Sequence, residues 1–134
     1  MDRRDFVEKA GCGMAGFAAF PAAMASDGEE GQERRRYSFA IEIFEEKGRP
    51  CAQGHRVGDR FEYPRDKGQI CPWLMDSMNA SIRVLEMDGT LFWLYRDTPY
   101  EKVIDKDGIT TEFIRCPDPT QSGVVAKIIR TRIP

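Results

Sequence analysis

Two stretches of strict alternation, one near each end of the chain, do most to limit what this sequence can fold into. In YSFAIEIFE, the side chains of Tyr37, Phe39, Ile41 and Ile43 fall on one side and Ser38, Ala40 and Glu42 on the other. In VVAKIIRTRI the alternation returns from Val124 to Thr131. A period of two is that of a strand with one buried face. Ile109 to Arg115 alternates in the same way, and Val57 to Tyr63 places Val57, Phe61 and Tyr63 in phase. TLFWLY, Thr90 to Tyr95, reads as a further, fully buried strand, because it is rich in aromatic and branched residues. Asp88-Gly89 and Asp107-Gly108 are turn signals.

One helix is expected among these strands. It begins at Cys71-Pro72, because proline suits the first helical position, where no N–H is needed. Leu74, Met75, Met78 and Ile82 are spaced for a single helical face. The helix stops near Asn79 to Ser81 if Ile82 to Met87 is extended, and runs on if it is not. Short turns favour antiparallel neighbours. The pattern predicts a small α+β domain, a mostly antiparallel, barrel-like sheet covered by one main helix. Trp73 and Trp93 are assigned to its core. The last strand ends almost at the C-terminus, so even a short truncation is expected to harm the fold.

The first 25 residues read differently. RRDFVEK resembles a twin-arginine export signal: two arginines, any residue, Phe, an aliphatic residue, then a basic one. Glu8 departs from the pattern, and Lys9 comes one place late. A weakly apolar run from Ala10 follows and closes on Ala23-Met24-Ala25, a small-x-small cleavage triplet. The run is too short and too rich in Gly and Ala to span a membrane. Cys12 precedes most of the run and leaves with the signal. Residues 1–25 are therefore expected to be a signal peptide, and the protein to be exported to the periplasm or another extracytoplasmic space. Residues 26–36 read as a disordered polar leader, with Arg34-Arg35-Arg36 a solvated run. Residues 37–134 form the single α+β domain. With 20 basic and 22 acidic residues and no long basic stripe, nucleic acid is an unsuitable partner.

The chemistry-bearing residues of the domain are few. His55 is the only histidine in the chain, and it lies four residues after Cys51. Cys71 and Cys116 follow. None of the three cysteines falls in mid-strand on this reading, and each adjoins a proline (Pro50, Pro72, Pro117). A residue before proline is pushed toward extended geometry, which restricts the thiols of Cys71 and Cys116. Three thiolates and one imidazole make a Cys3His set, a tetrahedral zinc arrangement. Three cysteines cannot all pair within one exported chain, so at least one thiol needs another explanation. Close cysteine pairs of the C-x2-C type are missing, which places iron-sulfur chemistry behind zinc, and haem ligation by a Cys-Pro pair behind both. One disulfide with one buried free thiol, and a merely solvated His55, remain the plain alternatives. Asp59, Asp76 and Asp118 read as turn, helix-surface and loop residues. No Ser-His-Asp set, phosphate loop or catalytic carboxylate pair stands out.

The spaced motifs C-A-Q-G-H-R-V-G-D-R-F, C-P-W and C-P-D-P, followed by the alternating VVAKIIRTRI, together resemble a family of small prokaryotic conserved-hypothetical proteins. The resemblance covers Tyr37 to Ile133. It implies that Cys51, His55, Cys71 and Cys116 belong to one recurring pattern and work together. It supplies no reaction. Members often lack an export signal, so the leader here is an addition. Twin-arginine export carries folded proteins, so a metal site could be loaded before its thiols meet an oxidising compartment.

Three functions follow as expectations. The first is an exported accessory domain with a structural Cys3His metal site formed by Cys51, His55, Cys71 and Cys116. The second is a thiol-redox protein or small enzyme. There Cys71, favoured as thiolate by a helix N-terminus, is the reactive group and His55 takes the proton. The third is a ligand- or protein-binding module whose cysteines are only structural.

Overall fold

A computed structural model of the protein describes residues 34–134. Residues 1–25, read above as an export signal, and residues 26–33 of the expected leader lie outside the described residues. The described elements run β1 (Arg36–Glu46), β2 (Arg60–Tyr63), a short 3-10 turn (Lys67–Gln69), α1 (Pro72–Glu86), β3 (Ile109–Arg115) and β4 (Val124–Ile133). The four strands form one antiparallel sheet in the order β2-β1-β4-β3. The α+β class therefore holds. The sheet is open, with β2 and β3 at its edges, so the expected barrel-like closure does not occur. With four strands there is too little curvature to bring the edges together.

The alternation in β1 and β4 works as read. Phe39, Ile41 and Ile43 pair across the sheet with Arg130, Ile128 and Ala126 and share one face with them. That face meets Leu74, Met75, Met78, Ile82 and Leu85 of α1 in one buried cluster, which Phe61 of β2 also joins. α1 continues past Asn79 to Glu86, because Ile82 and Leu85 prolong the apolar stripe at helical spacing. No helix among the described residues is long and apolar enough to cross a membrane.

Four expectations change. TLFWLY is not a strand. It belongs to an irregular segment between α1 and β3, here called the strap. The outer edge of β3 is instead met by Val103, whose carbonyl accepts the Thr111 N–H at 2.8 Å. Trp73 and Trp93 are not core residues, being 57% and 52% exposed. Trp73 lies off the buried stripe of α1, and Trp93 lies on the strap. Strand β2 begins at Arg60 rather than Val57, because Gly58 at φ +93° breaks the extended run and leaves Val57 exposed. The leader ends sooner than expected. Arg36 already pairs with Ile133, and Arg35 bridges to Asp88 and Asp107 instead of standing free in solvent.

Candidate functional site

Three connections meet at one end of the sheet. The β1–β2 loop carries Cys51 and His55. The residue before α1 is Cys71. The β3–β4 loop opens with Cys116. Two contacts bring them together. The Arg49 N–H donates to the Gln121 carbonyl at 3.0 Å, joining the first loop to the third. The Cys71 N–H donates to His55 Nε2 at 3.0 Å, joining the first loop to the helix. These two bonds join the segments that carry Cys51, His55 and Cys71 and the loop that Cys116 opens.

Most of the motif residues have a folding role. Gly54 adopts φ +81° and donates its N–H to the Cys51 carbonyl at 2.9 Å, closing a tight turn. The Asp59 carboxylate accepts the Arg56 N–H at 2.8 Å. Ile43 of β1 then receives the Gly58 N–H and donates its own to the Asp59 carbonyl, both at 2.9 Å. The Phe61 ring meets the His55 ring edge-on, with centroids 5.5 Å apart. In the third loop, the Cys116 N–H donates to the Val124 carbonyl at 2.8 Å. The Thr120 hydroxyl, and the Thr120 N–H that donates to Asp118 Oδ1 at 2.8 Å, hold the Asp118 carboxyl below the usual range. Asp59 and Asp118 are turn residues, as expected.

His55 is buried and not a solvated loop residue. Its position explains why. Cys71 is the N-cap of α1 and Pro72 has no N–H, so the Cys71 N–H needs an acceptor from elsewhere. The imidazole supplies it. A neutral imidazole has one nitrogen lone pair to offer, so Nε2 accepts and Nδ1 carries the proton. In this geometry His55 acts as an end-cap for the helix.

The thiols pack as small apolar groups. Cys51, Cys71 and Cys116 are all free, so none forms the disulfide that was one alternative. Cys116 is buried within the apolar cluster, and Cys51 and Cys71 pack half-buried against it. Among the described residues, no three His, Cys, Asp or Glu side chains stand close enough to hold one ion as they are placed. The loops converge, but the donor atoms do not form a ready-made cage. Comparison with protein-family models, curated proteins and solved structures finds no match for this chain.

Sequence reasoning missed three buried charges. Lys102 of the strap pairs with Glu112 of β3 at 2.7 Å, their side chains 1% and 5% exposed. Arg130 is fully buried. Its Nη1 donates to the carbonyls of Leu85 and Gly89 at 2.9 and 3.0 Å, and its Nη2 to Thr110 Oγ1 at 3.1 Å. The guanidinium also lies 4.3 Å from the Tyr37 ring centroid. Arg130 therefore closes the C-terminal end of α1, where backbone carbonyls attract a cation. The available signal was parity: Glu112 and Arg130 each fall in the inward phase of their strands.

Proposed function

We propose that the domain binds one soft divalent metal ion, zinc ahead of iron, through Cys51, Cys71, Cys116 and His55, in a structural or accessory role. The observation that carries this reading is the meeting of three loops, each bearing a free thiol, at one end of the sheet. The resemblance to the conserved-hypothetical family, with its spaced C-x2-G-H, C-P-W and C-P-D-P motifs, adds to it. Coordination by His55 requires its ring to release the Cys71 N–H, since that bond takes its lone pair. The three thiolates therefore supply most of the affinity, and His55 supplies less. On this reading the twin-arginine leader exports a domain already folded around its ion.

Purified protein should carry about one metal per chain, and a chelator should lower its melting temperature, because metal-binding free energy is also folding free energy. Cys71→Ser should lower the metal content strongly and His55→Ala weakly. Metal-free protein that is indifferent to chelator would sink this reading.

The position of Cys71 favours a second function, thiol chemistry. Its half-buried thiol sits at the N-terminus of α1, and the His55 ring accepts the Cys71 backbone N–H beside it. Cys71 should then alkylate faster than Cys51 and Cys116 at neutral pH. Equal rates for all three thiols would rule it out.

A further inference from the structure

One carboxylate oxygen at the end of β1 is buried without a partner. Along β1, Phe39, Ile41 and Ile43 face α1, so alternation alone would turn Glu45 inward and Glu46 outward. A register shift between Ile43 and Glu45 reverses this. Glu45 now pairs with Val125 and reaches Tyr100 and Lys47 on the opposite face, and Glu46 pairs with Val124. Directly opposed residues of an antiparallel pair share a face, and Val124 is buried in the core cluster. Glu46 is therefore turned inward. Bulges re-aim side chains in this way, and they are over-represented beside functional sites. Glu46 Oε1 is buried and has no hydrogen-bond partner among the described residues. A buried acceptor left unsatisfied costs free energy, and a charged one costs more.

The same row of the sheet carries a thiol. The Cys116 N–H donates to the Val124 carbonyl, so Glu46, Val124 and Cys116 stand on three neighbouring segments. Cys116 is buried in the same cluster as Val124. At ~4.8 Å per strand, Glu46 and Cys116 are about 10 Å apart between Cα atoms, a gap that both side chains and zinc–ligand bonds of about 2.0–2.3 Å together span. Cys51 lies on the loop that leaves β1 just after Glu46.

We propose that Glu46, in place of His55, is the fourth ligand beside Cys51, Cys71 and Cys116. This assignment rests on the metal-binding function proposed above. The lone pair of His55 Nε2 is already taken by the Cys71 N–H, whereas Glu46 Oε1 is uncommitted. Zinc accepts a carboxylate oxygen as readily in geometry as an imidazole nitrogen. Among the described residues, no three such side chains stand close enough to share an ion as they are placed. The ion therefore draws Glu46 and the thiols together as it binds, and His55 keeps its place as the cap of α1.

Cobalt(II) titrated into the full chain tests the assignment, because its visible d–d bands report the donor set and its thiolate charge-transfer band reports the sulfurs. The wild type should show both. Glu46→Gln should keep the charge-transfer band at saturation and shift the d–d bands. It should also weaken zinc binding by at least about tenfold, since even partners outside the coordination sphere are worth that much. His55→Ala should leave the d–d bands in place. Metal-free Glu46→Gln should melt no lower than the metal-free wild type, because a neutral amide replaces an unpartnered carboxylate. Unchanged d–d bands in Glu46→Gln, bands that shift in His55→Ala instead, or a metal-free Glu46→Gln that melts well below wild type overturn the assignment of Glu46 and leave the metal-binding function standing. A wild type that takes up neither cobalt nor zinc overturns both.

Discussion

Replacing Lys102 by methionine tests how the strap is held. The substitution keeps most of the side-chain volume and removes one charge. It takes away the 2.7 Å partner of Glu112 and the 3.2 Å bond to the Leu91 carbonyl. Glu112 keeps only the Phe113 N–H, at 3.1 Å to Oε1. Breaking a buried pair by removing one partner costs about 3–5 kcal/mol, because an uncompensated charge stays behind. A domain of this size is stable by about 5–15 kcal/mol, so Lys102→Met should fall near the limit of folding. Its melting temperature should drop by roughly 12–40 °C, at ~4–8 °C per kcal/mol. Replacing both partners, Lys102→Met with Glu112→Leu, removes the stranded charge and should recover more than half of the loss. Urea titrations of the wild type, both single variants and the double variant give the coupling energy directly. The reasoning is refuted if Lys102→Met lies within about 1 kcal/mol of wild type, or if the double variant is no better than the single one.

Arg130→Met should cost about 2–4 kcal/mol, because two carbonyls and the Thr110 hydroxyl lose a charged donor; Arg130→Lys should fall between, since an ammonium cannot reproduce the fork. Melting curves that superpose on wild type would show that the helix end is closed by something else. The response to pH should have two limbs. The Tyr37 hydroxyl bonded to Asp88 holds that carboxyl below its ordinary range, and the Tyr100 hydroxyl with Lys47 does the same for Glu45. Carboxyls depressed in the folded state stabilise it above the unfolded value, so stability should be full above pH about 4.5 and fall as pH drops through the lower folded values. Burial and the bond to Asp88 raise Tyr37, so its contribution should persist below pH about 10 and fade as pH climbs past the raised value. Urea midpoints across the pH range check both limbs. A midpoint unchanged between pH about 4.5 and 2.5 would contradict the acid limb, and Tyr37→Phe should flatten the alkaline one.

The elements legible in the sequence were those whose pattern reports burial directly. β1 and β4 alternate because each has one face packed on α1, whereas in β3 the three successive residues Thr110, Thr111 and Glu112 are all buried. α1 starts where Pro72 permits it, and its apolar stripe shows which side packs. The strap was not. TLFWLY has the composition of a buried strand, and composition alone cannot tell a buried aromatic from one held out in water. That difference is made by Lys102, which grips the carbonyls on either side of Phe92 and Trp93 from a buried pair with Glu112, ten residues along the chain. The role of His55 was hidden for the same reason. Its acceptor nitrogen meets the Cys71 N–H across sixteen residues of chain.

Local periodicity thus determined that the chain extends in β1 and β4 and coils in α1, since those preferences act between residues a few positions apart. Whether the sheet closes, which face α1 covers, what satisfies the two ends of that helix and which aromatics stay in water were decided only in the tertiary structure. The last two of those outcomes depend on desolvating a polar or charged group, and a buried imidazole, lysine or arginine is stable only where the fold brings it a partner.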